Sequence, residues 1–364
     1  MPDPLPPRIT WTPALVGALS DADRLIGRLA GEGGRLPNPH LLIRPFIRRE
    51  AVLSSKIEGT QATLGELLAA EAGMAVDRSP DDLREVANYV VALEHGIARL
   101  SSLPLSLRVV RELHSKLMAG ARGDRGRPGY FRDVQNWIGS PGVGIEAAIY
   151  VPPPPDQVLP CLDAWEKFLH DRSLPPLVQA GLVHYQFEAI HPFVDGNGRV
   201  GRLLITLFLI ERKVLPAPLL YLSAFFEANR QAYYARLQGV HERGEWEAWL
   251  GYFLRGVATQ STDALSRAIR INALLEKWRD KAVSAGLPAA VRLVDLLAEN
   301  PYWTTRRAAE RLKVAFTTAQ RAVVKLETLN IMRQVNEAKR DRVYCATALL
   351  KLLEEPARLD DGEN

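Results

Sequence analysis

Between His191 and Arg202 the chain reads His-Pro-Phe-Val-Asp-Gly-Asn-Gly-Arg-Val-Gly-Arg, which gathers a titratable ring, a carboxylate, two close glycines and two arginines within one short stretch. Gly196 and Gly198 flank Asn197. Glycines there let successive backbone N–H groups turn toward one point, and a helix starting at once would add its positive end, so the loop suits an anion. Phosphate is the natural choice. Arg199 and Arg202 are spaced to share one face of a helix's first turn, where two guanidinium forks could grip further phosphate oxygens. Asp195 stands at the mouth of the same loop. One hard carboxylate beside phosphates suits Mg²⁺, whereas zinc would demand three protein ligands that this stretch does not supply. His191 is then the titratable group nearest the phosphates, and a neutral imidazole could take the proton of an attacking hydroxyl.

Two apolar runs must position this loop. Leu177 to Ile190 reads as a buried helix ending at His191, and Leu203 to Ile210 as a buried helix that begins near Arg199. Upstream, a helix from Pro13 to Ala30 has Thr12 as its cap. A second should start with Asn38 as cap and Pro39 at its first position, and stop at Ser54-Ser55-Lys56-Ile57-Glu58-Gly59. On the residues alone Glu58 is a solvated helix-end acid. Thr63-Leu64-Gly65-Glu66 is a capping box, Ser79-Pro80 opens a further helix, and Ser106 caps one running to Met118. His114 lies on the apolar face of that last helix and reads as a core or boundary histidine. The region Ala119 to Pro155 is too long for a mere connector. In it, Gln135-Asn136-Trp137-Ile138 and Ile149-Tyr150-Val151 suit two short strands around the turn residues Pro141 to Gly144. After the central motif a helix carries Tyr233 and Tyr234, and Trp246 to Arg279 is helical in pattern.

From about Ala289 the pattern becomes three short helices, the second capped by Thr304-Thr305 and the third by Thr317, followed by Ile331 to Val335 and Arg342 to Tyr344 as a hairpin. This resembles a winged helix-turn-helix. Its third helix would present Thr317, Thr318, Gln320, Arg321 and Lys325, and its wing Lys339, Arg340 and Arg342, a set able to meet DNA phosphates. The 364 residues allow two or three units, while 47% hydrophobic and 24% charged residues describe an ordinary globular chain. A net charge of +4 is too slight to imply nucleic acid by itself. Cys161 and Cys345 are the only cysteines, which excludes a disulfide framework and fits a reducing cytosol. No apolar run is long enough for a bilayer, and Met1 to Pro7 lacks the layout of a signal peptide, so a cytoplasmic protein is expected.

The central stretch resembles the signature of the Fic family, His-x-Phe-x-(Asp/Glu)-Gly-Asn-Gly-Arg-x-x-Arg, with every specified position present. Ser54-x-x-x-Glu58-Gly59 is similar to that family's inhibitory motif, (Ser/Thr)-x-x-x-Glu-(Gly/Asn). The resemblance implies a mostly α fold: a helical Fic core with a small β-hairpin flap, preceded by a helical region holding the inhibitory motif and followed by the winged helix. Its boundaries would be 1–100, 101–280 and 281–355. The implied activity is transfer of AMP from ATP to a Ser, Thr or Tyr hydroxyl of a protein. His191 would be the base, Asp195 the Mg²⁺ ligand, and Gly196, Asn197, Gly198, Arg199 and Arg202 the phosphate site. Tyr234 would line the adenine pocket, and Ile149, Tyr150 and Val151 would dock the target along the flap edge. Ser54, Glu58 and Gly59 would form the brake, with Glu58 pairing with Arg202 in place of the γ-phosphate. Self-modification and a homodimer fit this reading. Removal of AMP, transfer of another nucleotide, and a nucleotide-sensing DNA-binding regulator are its alternatives.

Overall fold

A computed structural model of the chain describes residues 1–33, 39–120, 127–139, 142, 144–338 and 340–356. The N-terminal part supplies α1 (Pro13–Gly33), α2 (Pro39–Ile57), α3 (Leu64–Glu71) and α4 (Pro80–Arg99). The middle supplies α5 (Leu107–Leu117), α6 (Pro155–Leu169), α7 (Pro176–Ile190), α8 (Asn197–Glu211), α9 (Ser223–Ala228) and α10 (Arg230–Arg243). The 39-residue α11 (Trp246–Ser284) then leads to a C-terminal unit.

Local chemistry explains where these elements begin and end. The Thr12 hydroxyl accepts from the Leu15 amide at 3.2 Å at the start of α1. Thr63 and Glu66 form the expected capping box of α3. At α5 the reading was wrong about the cap: Ser106 makes no side-chain cap bond, and Glu166 Oε1 instead accepts from the Leu107 amide at 2.7 Å. A carboxylate beside a helix N-terminus does a hydroxyl's work with added charge. Asn38 lies outside the described residues.

Helices α7 and α8 are apolar on nearly every face and run through the centre, packed against each other. Helix α6 covers one side of the pair, α4 and α5 another, and α11 a third. Buried apolar side chains from Leu15 to Leu353 form one continuous cluster.

The C-terminal unit consists of α12 (Pro288–Leu297), β1 (Tyr302–Thr304), α13 (Thr305–Leu312), α14 (Phe316–Thr328), β2 (Arg333–Gln334), β3 (Val343–Cys345) and α15 (Thr347–Glu354). Its sheet is antiparallel in the order β1-β3-β2, with Trp303 opposite Tyr344 and Arg333 opposite Cys345. The sequence reading held only the last two strands. Its three residues, from Tyr302 after Pro301 to the cap Thr304 itself, leave too short a run to show alternation. Helix α14 starts at Phe316, so Thr317 sits inside its first turn and is not the cap. Thr317, Gln320 and Arg321 are exposed, while Thr318 and Lys325 are half-buried and Lys339 lies outside the described residues.

This unit grips α2, which carries Ser54 and ends just before Glu58, and the next helix, α3. Arg44 Nη1 of α2 pairs with Glu299 at 2.8 Å, Asn300 Nδ2 donates to Leu68 O of α3 at 3.0 Å, and the Gly65 amide donates to Glu354 Oε1 at 2.9 Å. No helix among the described residues is long and apolar enough to cross a membrane.

Candidate active site

Helix α7 ends because His191 turns left-handed, at φ 50° and ψ 58°, while its amide still donates to Phe187 O at 3.0 Å. A non-glycine residue in that conformation, followed by Pro192, costs free energy that the surroundings must offset. The Asn197 side chain closes the loop behind it, accepting from the Phe193 amide and donating to Phe193 O, both at 2.8 Å. Gly196 has φ 80°, where a Cβ would be strained, and its Cβ would also press on Met118 Sδ at 3.0 Å. A Cβ at Gly198 would collide with Glu58 Oε1, so glycine is what lets that carboxylate approach.

One detail differs from the sequence reading. The Gly196 amide is not open to an anion, because it donates to Asp195 Oδ1 at 2.6 Å. The Asn197 side chain is buried and bonds the loop at Phe193 through both its oxygen and its nitrogen. What remains for a ligand is the helix end itself: the Asn197, Gly198 and Arg199 amides, first in α8, have no partner among the described residues.

His191 is half-buried at the rim of this site, with Nδ1 3.4 Å from Glu188 O. A carbonyl facing Nδ1 assigns the ring proton there and leaves the lone pair on Nε2. Burial pushes the ring's pKa down to about 4, so the imidazole is neutral throughout the physiological range.

Arg202, fully buried on α8, is held from α2. Its Nε donates to Ser54 Oγ and its Nη2 to Ser54 O, each at 2.9 Å, and Nη2 meets Glu58 Oε1 at 2.6 Å. Ser54 and Glu58 are one helical turn apart, which is what puts both on the same guanidinium. Burial alone would raise the Glu58 pKa, and the Arg202 charge and hydrogen bond overcome it and hold the carboxyl below its usual range. The pair is lopsided in exposure: the Arg202 side chain is 2% exposed and that of Glu58 35%.

Arg199 is buried too but gripped loosely. Its guanidinium lies 3.5 Å from Glu85 Oε2 on one side and 3.5 Å from Asp195 Oδ1 on the other, and its Nε has no partner. Glu85 in turn accepts from Thr60 Oγ1 at 2.9 Å. Asp195 remains half-exposed, and its second oxygen has no protein partner among the described residues. Among those residues no three His, Cys, Asp or Glu side chains cluster as metal ligands. A single open carboxylate fits Mg²⁺, which keeps most of its waters and shares phosphate oxygens.

The flap is slighter than a hairpin. Residues 135–138 and 149–151 meet in one antiparallel bridge, Ile138 to Tyr150, with Ile138 N donating to Tyr150 O at 2.8 Å. A short 3₁₀ turn, Ile145–Ala147, follows the segment read as a turn, of which Pro141 and Val143 lie outside the described residues. With the glycines and prolines nearby, little backbone is left to extend a ladder. Ile149 and Val151 are exposed, while the Tyr150 hydroxyl turns inward and donates to Ala189 O at 2.7 Å. Tyr233 is core, bonded to His184 at 2.8 Å, and its neighbour Tyr234 is exposed beside Arg230.

Sequence reasoning missed two residues at this site. His114 was read as filling, yet it stacks flat on Phe193 at 3.7 Å, accepts from the Gly129 amide at Nδ1 (2.9 Å) and donates from Nε2 to Asp195 O (3.0 Å). The only signal was a polar ring on an apolar helix face, which must find partners somewhere. Arg132 was not singled out at all. It is 3% exposed and its Nε donates to His191 O at 2.9 Å, a partner 59 residues away that no local pattern shows.

The model for the Fic/DOC family N-terminal region matches residues 16–98, and that for the Fic/DOC family matches residues 104–209, together just over half of the chain. Proteins named protein adenylyltransferase Fic from Drosophila virilis and Drosophila melanogaster are 34% and 32% identical over 160 residues, 42% of this chain. The chain spans about a third of those relatives' own length, 31% and 30%. Among solved structures, a Fic family protein from Desulfovibrio desulfuricans G20 superposes with a TM-score of 0.63 at 23% identity, over 93% of this chain and 98% of that one. Fic-1 from C. elegans superposes with a TM-score of 0.53 at 24% identity, over 71% of this chain and 73% of that one. With its loop, its helical fold and both family models in agreement, the chain belongs to the Fic/DOC family.

Proposed function

We propose that this protein transfers AMP from ATP to a Ser, Thr or Tyr hydroxyl of a protein, and that Glu58 restrains the reaction. The observation that carries this reading is one arrangement: a neutral His191 at the rim of a helix N-terminus whose arginine, Arg202, is already bound by a carboxylate at 2.6 Å. The curated relatives named protein adenylyltransferases support it. In this reading residues 1–100 carry the restraint, 101–280 the reaction and 281–355 an accessory unit.

The chemistry follows from the positions. The α8 amides meet the negative charge that grows on the α-phosphate, and Arg202, once free of Glu58, binds the γ-phosphate, with Arg199 beside the β-phosphate. Asp195 would hold Mg²⁺, which neutralises phosphate charge when bound. His191 Nε2 removes the hydroxyl proton as the oxygen attacks the α-phosphorus, and the bond to the β-phosphate oxygen breaks to release pyrophosphate. The exposed Ile149 and Val151 offer an edge for an extended target segment, and Tyr234 an open ring for the base. Free thiols at Cys161 and Cys345 suit a reducing compartment.

The order helix, strand, helix, helix, strand, strand in residues 288–345 supports the winged-helix reading. On α14 the exposed Phe316 and Val324 interrupt the polar set, at 54% and 47% exposure, and so favour a protein partner over DNA there.

The test is to incubate wild type, Glu58→Gly and Glu58→Gly/His191→Ala with ATP and Mg²⁺ and weigh each intact protein. A gain of one AMP in Glu58→Gly, smaller in wild type and absent in the double variant, is expected. No gain in any of them, alone or with a cell lysate as target, contradicts the proposal.

A further inference from the structure

Arg132 is a buried arginine with no carboxylate paired to it among the described residues. Its four side-chain hydrogen bonds all go to backbone carbonyls, from three separate segments. Nε donates to His191 O at 2.9 Å; Nη2 donates to Pro153 O at 2.5 Å and Ile190 O at 3.4 Å; Nη1 donates to Val134 O at 3.1 Å. Its own amide adds a bond to Pro192 O at 2.9 Å. Val134 and Pro153 flank the two limbs of the flap, while Ile190 and His191 are the end of α7.

A buried cation without a counter-charge is costly, and here two features offset it. The last carbonyls of α7 lack partners within the helix, and that end of the helix carries partial negative charge. Only a planar fork with five donors can reach carbonyls on three segments at once; a lysine has the charge but not the fork. The flap adds a second tie to the same helix end through the Tyr150 hydroxyl on Ala189 O at 2.7 Å. The left-handed His191, awkward before a proline, is thereby held from its own carbonyl and from the next one.

We infer that Arg132 is a positioning residue that locks the target-docking flap and the backbone of His191 into one rigid piece, so that a hydroxyl aligned along the flap meets the imidazole in register. This rests on the proposed transfer for its functional half, while the mechanical half stands on the contacts alone. The phosphate-binding end of α8 is not part of the clamp, so nucleotide binding and target alignment separate.

The experiment compares the full-length Glu58→Gly protein with the same protein carrying Arg132→Lys or Arg132→Gln, after thermal melting identifies which of them fold. Should the glutamine variant not fold, the lysine variant, which keeps the charge, decides. Hydrogen exchange without nucleotide should accelerate about tenfold or more at the Ile138 and Tyr150 amides, with the amides of central α8 unchanged. Self-modification should slow about 10- to 100-fold, as for other misplaced reacting groups, with the ATP concentration for half-maximal rate unchanged. Flap amides as protected as in the parent overturn the clamp, as does a loss of transfer traced wholly to weaker ATP binding. If even the parent shows no transfer, the AMP reading fails and the exchange result still decides the clamp.

Discussion

The two sides of the anion loop are held by opposite means. On the flap side, Arg132, His114 and the Asn197 side chain are buried and bond to backbone groups, and none of these bonds competes with a ligand. On the brake side, one carboxylate that keeps a third of its surface exposed occupies Arg202, a group that a phosphate would also want. The first kind of contact fixes geometry for good. In the proposed reading the second can be exchanged, because a triphosphate would offer Arg202 an equivalent partner, whereas among the described residues only Arg132 donates to His191 O.

This contrast is open to attack from both sides. Replacing His191 with Ala in the Glu58→Gly protein should lower self-modification about 10³-fold, the loss of a general base, with folding intact in a thermal melt. His114→Ala strips a stacked ring and two buried bonds from the permanent side. It should cost about 3 kcal/mol in urea unfolding, since it leaves a cavity and an unpaired Gly129 amide, and it should slow transfer even with the brake removed. Glu58→Gly touches only the exchangeable side and should raise transfer about 10- to 100-fold, at a cost in stability because it leaves the buried Arg202 without that carboxylate. That ratio should stay constant from pH 8 to 6, because Arg202 holds the Glu58 carboxyl below its ordinary range and the brake weakens only in stronger acid.

A sealed core also predicts a pH effect. His184, buried behind Arg202, has its pKa pushed down to about 3 by burial. The unfolded chain takes the proton near pH 6.5, so the stability of the neutral ring is present above that pH and is lost as pH falls from 6.5 toward 3. Against a His184→Phe variant, wild type should lose about 2 kcal/mol of unfolding free energy between pH 6.5 and 5. The smallest effect belongs to Ser54→Ala. It removes the hydroxyl on Arg202 Nε but spares the carboxylate, and should raise transfer only a few-fold, well short of Glu58→Gly.

Much of this site was legible because its parts are close in sequence. The central loop and both its helices show in the glycines and the two apolar runs, and the Ser54 to Glu58 spacing puts both groups on one helical face. Of the long-range ties, the Glu58–Arg202 pair across 144 residues was expected only through the family resemblance, and those without a motif behind them were not legible. Arg132 finds His191 across 59 residues and His114 finds Asp195 across 81, through single bonds that leave no periodic trace. The Gly196 amide was misread for a related reason: the adjacent Asp195 carboxylate takes it at 2.6 Å, a competition that residue types alone do not settle. The flap fell between the two cases. Its limbs were placed correctly, but one bridge and an inward Tyr150 replaced the expected hairpin, since the helix end it covers sets its shape.

The most direct test of the account is calorimetry of ATP and ADP binding to wild type and Glu58→Gly in the presence of Mg²⁺. If Glu58 holds Arg202 where the γ-phosphate belongs, removing it should tighten ATP binding severalfold and leave ADP nearly unchanged. Equal gains for both nucleotides, or none for ATP, would contradict the claim that one ion pair governs this site.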